Sequence, residues 1–132
     1  MILLDTDICI GFLERRDSKL ARFFSENEVD LRLCAVVKAE LYFGARASAR
    51  VDENLKRLRA FFEAIGSLDF DDVAAEHYGV IRAQLKRAGT PIGPNDLMIA
   101  AIALAHDATV ATRNVNEFAR VPTLRIAALP EP

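Results

Sequence analysis

Ile2-Leu3-Leu4-Asp5-Thr6-Asp7-Ile8-Cys9-Ile10 is the stretch on which the fold turns. Its first three residues are a short apolar run that stops at an Asp-Thr-Asp turn, the pattern of a buried strand feeding a helix. Ile8, Ile10, Phe12 and Leu13 continue at helical spacing as far as Arg15-Arg16-Asp17. Ser18 then stands where a cap is needed for a second short helix carrying Leu20, Phe23 and Phe24.

The same alternation repeats down the chain. Leu31 to Val37 is apolar with β-branched residues and reads as a strand, and from Lys38 the pattern turns helical through Leu41, Tyr42, Phe43 and Ala47. Val51, Leu55, Leu58, Phe61, Phe62 and Ile65 recur at spacings of three and four, an amphipathic helix that Gly66 stops. Leu68 to Phe70 is a minimal strand. Asp71 and Asp72 open a long helix through Val73, Tyr78, Ile81 and Leu85 to Gly89, a C-terminal cap. Gly93-Pro94-Asn95-Asp96 starts a helix that is apolar on every side from Leu97 to Ala105, and such a helix must be buried. Thr109 to Thr112 and Leu124 to Ala127 are the remaining strands. Strands that alternate with helices define the α/β class, here a three-layer α/β/α domain with a small central parallel sheet over residues 1–132. In such folds the functional site lies off the carboxyl ends of the strands, where the strand order reverses. Asp5 and the Thr112-Arg113-Asn114 turn both fall at strand ends.

Composition narrows the function. The chain of 132 residues is 52% hydrophobic and 27% charged, ordinary for a soluble domain. No stretch approaches the roughly 20 apolar residues that span a bilayer. Met1 is followed at once by the first apolar run, with no basic leader, so the expected location is the cytosol. Cys9 and Cys34 both sit among apolar neighbours and read as buried thiols rather than a disulfide or a zinc site. The net charge of −2 gives a polyanion no general attraction. Cations do cluster, at Arg15, Arg16, Lys19 and Arg22 and again at Arg46, Arg50, Lys56, Arg57 and Arg59. Each cluster is either a basic rim around an acidic pocket or a solvated helix face.

Three acids carry the chemistry. Asp5 is either the helix cap or, if Asp7 takes that role, a free carboxylate at a strand end. Glu40 has Val36, Val37, Phe43 and Gly44 at its helical neighbour positions, so its carboxylate is drawn out of water. That burial calls for compensation, by an arginine such as Arg46 or by a metal and its water. Asp96 lies in the first turn of the all-apolar helix, where the dipole favours an acid, although Asn95 or Thr90 could serve as cap. Asn114 follows a strand and is by default a turn residue. Spread along the chain, these residues can converge on one end of a parallel sheet. Hard cations such as Mg²⁺ take oxygen donors, keep several waters and need only one or two carboxylates plus a substrate phosphate. His77 and His106 have no ligating neighbours, and His106 suits the C-terminal end of the buried helix.

Four segments together strongly resemble the PIN-domain toxins of type II toxin–antitoxin systems, the VapC family. They are Met1 to Ile10, Lys38-Ala39-Glu40-Leu41-Tyr42-Phe43-Gly44-Ala45, Pro91 to Ala100, and Thr112-Arg113-Asn114-Val115-Asn116-Glu117-Phe118. The resemblance covers nearly the whole chain, in order and at the expected spacing. It implies an endoribonuclease dependent on Mg²⁺ or Mn²⁺, acting on structured RNA such as tRNA or rRNA loops. It also implies silencing by a cognate VapB antitoxin and a homodimer or larger toxin–antitoxin assembly. By the same resemblance Asp5 and Asp96 are the metal-binding aspartates and Glu40 the catalytic glutamate. Asn114 falls where many PIN domains carry a fourth acid, a departure that bears on a second metal. An inhibitory partner segment is expected to cover apolar surface around Ile10, Leu13, Leu20 and Phe24 and to place an arginine among the acids.

Two rival readings share some of these residues. Asp5-Thr6-Asp7 mimics the strand-end Asp-x-Asp of aspartyl-phosphate phosphatases of the haloacid-dehalogenase type. Those enzymes expect Thr or Val where Cys9 stands and a later acidic pair after a strand, whereas Asp71-Asp72 opens a helix. A PIN module reduced to a binding partner is the non-enzymatic alternative, separated by whether EDTA removes and Mg²⁺ restores an activity.

Overall fold

In the computed structural model, residues 1–15 and 17–129 are described, so Arg16 of the first basic stretch lies outside the described residues. The chain runs β1 (Ile2–Leu4), α1 (Thr6–Leu13), α2 (Ser18–Asn27), a 3₁₀ turn at Glu28–Asp30, β2 (Leu31–Cys34), α3 (Ala35–Arg46) and α4 (Val51–Ala64). It continues through β3 (Ser67–Leu68), α5 (Asp72–Ala88), α6 (Pro94–Ala105), β4 (Thr109–Thr112), α7 (Val115–Phe118) and β5 (Ile126–Ala128). The sheet has five strands in the order β3-β2-β1-β4-β5. Every pairing is parallel, with Ile2 opposite both Leu31 and Thr109.

Burial shows why this sheet lies between two helical layers. Successive strand residues face opposite sides. Leu3 and Leu4 are nevertheless both 0% exposed, as are Leu33 and Cys34, and Val110 and Ala111. Both faces of the three central strands are therefore covered, which parallel sheets need. Each buried leucine stabilises the fold by roughly 1.5–3 kcal/mol. The all-apolar helix is as buried as its composition requires: Ile99, Ala100, Ala101, Ile102 and Ala103 are completely enclosed. Its many alanines let it approach α5 closely along its length.

Several element ends differ from the sequence reading, and each has a local cause. β2 stops at Cys34, not Val37, because Cys34 is the extended residue from which α3 begins (φ −144°, ψ 164°). The β-branched Val36 and Val37 are carried into that helix by packing. β3 is Ser67–Leu68 rather than Leu68 to Phe70, since Asp71 caps α5 by accepting from the Ala74 N–H and the chain must leave the sheet before it. β5 is Ile126–Ala128 rather than Leu124 to Ala127, with Ala127 opposite Ala111. Asp17, not Ser18, caps α2, accepting from Lys19 N at 2.8 Å. α6 starts from Gly93 with Pro94 in its first turn and no side-chain cap, so neither Asn95 nor Thr90 serves. Gly89 does end α5, in the left-handed region at φ 71°.

The helical hairpin of α1 and α2 folds back on itself through Phe12 and Phe24, whose rings stack at 3.9 Å and 4°. Gly11 lets α2 come this close. A Cβ there would sit 2.7 Å from Leu20 Cδ1 and 3.2 Å from Arg113 Nη1.

Candidate active site

The strand order reverses between β1 and β4, and Asp5 and Thr112 stand at the carboxyl ends of those two strands. Asp5 is 5% exposed and fully engaged. Its Oδ1 accepts from Thr6 N at 2.8 Å, and its Oδ2 accepts from Thr112 Oγ1 at 2.7 Å. Asp5 is thus both the α1 cap and the strand-end acid, while Asp7 is exposed in the first turn of α1. The two uses coexist because a carboxylate has two oxygens to share. Burial pushes the Asp5 carboxyl above its usual range; the Thr112 and Thr6 hydrogen bonds draw it partly back, and Asp7 and Glu117 add repulsion.

Thr112 continues the relay. It is 0% exposed, and its hydroxyl accepts from Asn114 N at 2.8 Å while donating to Asp5. Asn114 in turn donates through Nδ2 to Asp96 Oδ2 at 3.2 Å and to Glu117 Oε2 at 3.0 Å. Asp96 reaches the cluster from the first turn of α6, half-buried. Its pKa is pushed up to about 7, first by burial, then by the carboxyl of Glu117, with Asp5 and Glu40 adding charge. Glu117 moves the other way, lowered by the hydrogen bond from Asp96 and by Asn114. Of the two acids, Asp96 is the one shifted towards its protonated form, and Asn114 bridges them. Glu40 comes from α3, partly buried and raised by burial, and it repels Asp5 and Asp7. Thr6 and Asn95 face it and lower its value. The Thr6 contact falls short of a hydrogen bond, which leaves Thr6 Oγ1 a buried oxygen without a partner. No arginine pairs with Glu40 among the described residues.

The structure therefore brings Asp5, Glu40, Asp96 and Asn114 to one end of the sheet and adds Glu117 to them. Sequence reasoning gave Glu117 no role. The signal was its position: three residues after Asn114, it is one turn along α7 and faces the same way. Sequence reasoning also missed the buried pair of Arg113 Nη2 and Asp17 Oδ2, 2.7 Å apart, which ties the loop after β4 to the α1–α2 turn. The two histidines lie elsewhere, His106 where the sequence reading put it. His106 is the C-cap of α6, its Nε2 3.2 Å from Asp69 O, and His77 lies on α5. Arg22 pairs with Glu26 and Arg50 with Glu53 on exposed faces of their own helices, so those members of the basic clusters are solvated rather than part of a rim.

Hard cations fit the chemistry of this donor set. Its side chains offer carboxylate, amide and hydroxyl oxygen, including the unpartnered Thr6 Oγ1. Cys9 and Cys34 lie close enough for Asp5 to raise both, and burial holds both firmly as thiols, which disfavours a soft thiolate site. Among the described residues, no three His, Cys, Asp or Glu side chains form a ready-made cage. A Mg²⁺-type site does not need one, since water and substrate supply the remaining oxygens.

A parallel α/β/α domain with an acidic, oxygen-donor cluster at its switch point is the class that fold and site define. Residues 2–124 match the PIN domain, and the chain belongs to that family, in its VapC group. It is 37% identical over 124 residues to the tRNA(fMet)-specific endonuclease VapC of Salmonella typhimurium, spanning 94% of each chain. Among solved structures, VapBC2 from Rickettsia felis, bound to a DNA fragment from its promoter, superposes with a TM-score of 0.92 at 30% identity, covering 98% of this chain and 100% of that one. The DNA-bound VapBC of Salmonella typhimurium gives 0.91 at 36% identity, with 96% of each chain covered. No helix of the described residues is long and apolar enough to cross a membrane.

Proposed function

We propose that this chain is the toxin of a toxin–antitoxin pair, a divalent-metal-dependent endoribonuclease that cuts structured RNA and is silenced by its antitoxin. The convergence of Asp5, Glu40 and Asp96 at the β1–β4 switch point carries the reading. Ribonuclease relatives of similar length support it.

Asp5 and Asp96 are the residues to hold Mg²⁺ or Mn²⁺, with Glu117 and Asn114 beside them. Such an ion acidifies water and neutralises charge on the scissile phosphate. Asp5 needs no rearrangement, because Thr6 N and Thr112 Oγ1 already fix its carboxylate. Glu40, with its raised pKa, takes the proton from the attacking water. Water oxygen bonds to phosphorus as the bond to the 3′-oxygen breaks, and that oxygen takes up a proton from solvent, giving a 5′-phosphate and a 3′-hydroxyl. The 2′-hydroxyl is not consumed. Asn114 is a positioning residue that orients Asp96 and Glu117.

Burial narrows the surface proposed for the antitoxin. Leu20 and Phe24, expected at this surface, lie in the core, with Phe24 stacked on Phe12, and neither lines the cavity beside Glu40. Ile10 and Leu13 instead line a cavity of about 310 Å³ with Leu41, Leu58 and Glu40. An apolar antitoxin segment fits along this groove, and an arginine at its end meets Glu40 and the acids beyond.

The test is purified chain with tRNA, with EDTA and then with Mg²⁺ or Mn²⁺ added back. Cleavage that needs the ion and leaves 5′-phosphates is expected. Asp5→Ala or Asp96→Ala should lower it by roughly 10³-fold, about 4 kcal/mol of transition-state stabilisation. Folded variants that cut at the wild-type rate defeat the assignment.

A further inference from the structure

A second cavity, of about 430 Å³, lies between α5 and the first turn of α6. Leu85, Pro91, Ile92 and Pro94 give it apolar walls, and Arg82 and Lys86 stand at its edge. Neither cation has an ion-pair partner among the described residues. Arg82 is held in place: its Nη1 donates to the Tyr78 hydroxyl at 3.0 Å, and its guanidinium lies 5.8 Å from the centre of that ring. Arg120 braces the far wall by donating to Pro91 O at 2.9 Å, and it also lowers the Glu117 carboxyl. Cavity and acid cluster are therefore neighbours that share the first turn of α6 and Arg120. Pro94 and Leu97 line one, Asp96 belongs to the other, and only the first turn of α6 separates them. A helix is about 10–12 Å across with its side chains.

We infer that this cavity is a nucleotide subsite that holds one unpaired nucleotide of the RNA next to the scissile phosphate. Its size lies in the range of about 300–1,000 Å³ usual for small-ligand sites. Pro91, Pro94 and Ile92 offer apolar surface for a base, and Arg82 and Lys86 receive the phosphate. Charge complementarity singles out this occupant. The chain as a whole is at −2 and its acid cluster repels a polyanion, so local cations must draw the strand in. Unpaired bases are what proteins read in structured RNA, since the grooves of the helix are poorly accessible. The subsite rests on the ribonuclease reading given above.

The experiment uses a short fluorescein-labelled single-stranded oligoribonucleotide and the full chain carrying Asp5→Asn, with EDTA present, followed by anisotropy over a salt series. Arg82→Ala or Lys86→Ala in this background should weaken binding about fivefold and reduce the slope of log affinity against log salt by about 0.7. Arg82→Lys, which keeps the charge, should retain the slope. Arg59→Ala, an exposed cation on α4, should change neither quantity. In the active chain, the loss from Arg82→Ala should appear in KM. Folded Arg82→Ala and Lys86→Ala proteins with unchanged affinity and slope overturn the subsite. So does a change in sedimentation without a change in RNA binding, because a second copy of the chain would then be the occupant. If wild type cuts RNA yet these variants bind normally, only the subsite falls. If wild type cuts no RNA with any divalent ion, the ribonuclease reading falls with it.

Discussion

The acid cluster has two halves that are built differently. The strand half, Asp5 and Thr112, is carried by β1 and β4 and closed by hydrogen bonds of 2.7 and 2.8 Å to fully or nearly fully buried groups. The helix half, Glu40, Asp96 and Glu117, projects from α3, α6 and α7, is more open to solvent, and has Asn114 bridging Asp96 and Glu117, with Asp96 shifted towards its protonated form. In the strand half, geometry is set before any ligand arrives. In the helix half, charge is adjusted among the acids themselves, so protonation there responds to pH and to a divalent ion. Preorganisation and charge regulation are thus divided between the sheet and the helices that flank it.

The largest effect on this division should come from Arg113→Ala. It leaves Asp17 buried without its guanidinium and frees the loop that carries Asn114 from the α1–α2 turn. Removing one partner of a buried pair costs about 3–5 kcal/mol. Denaturant unfolding should show that loss, and a variant within about 0.5 kcal/mol of wild type would show that the strand half stands without the tie.

Thr112→Val keeps the shape of the strand end and removes its relay. Asp5 Oδ2 loses a donor and Asn114 N an acceptor. We expect a stability loss of about 1–3 kcal/mol and a drop in cleavage of roughly 10- to 100-fold. Thr112→Ser should restore most of both. If Val and Ser variants behave alike, the hydroxyl is not what organises Asp5.

The smallest effect is electrostatic and belongs to the helix half. Folded Asp96 holds its proton up to about pH 7, whereas in the unfolded chain it releases it near 3.8. The stability contributed by that proton is complete below the unfolded value and is lost as pH rises towards about 7. Glu117 is shifted the opposite way, but its window lies below its usual value of 4.5. Melting of the metal-free chain should therefore fall by a few degrees from about pH 5 to about pH 8. Millimolar Mg²⁺ should flatten the slope, and Glu117→Gln should reduce it. A melting temperature insensitive to pH, ion and substitution would mean that the two halves do not differ in charge regulation.

Strand and helix identities along the chain were legible because they rest on period and on uninterrupted apolar character. The Leu3-Leu4 pair and the Leu97-to-Ala105 run carry their burial in their composition. Asp5, Glu40 and Asp96 stood out for a related reason: each is a carboxylate at a strand end or on a helix that must pack, whereas Asn114 read as a turn residue and was placed at the site only by the family resemblance. Element ends were less legible. Cys34 and Asp71 decide where a strand stops by the helix each begins; the start at Asp71 was legible, whereas the one at Cys34, ahead of the β-branched Val36 and Val37, was not. The Asn114 bridge between Asp96 and Glu117, the Thr112 relay to Asp5 and the Arg113–Asp17 tie were decided by tertiary structure alone. Thr112 and Asp5 are 107 positions apart, and Arg113 and Asp17 are 96 apart. Sequence period reports which face of an element is apolar. Which polar atoms meet across elements depends on strand register and helix packing, and these exist only once the parallel sheet has closed.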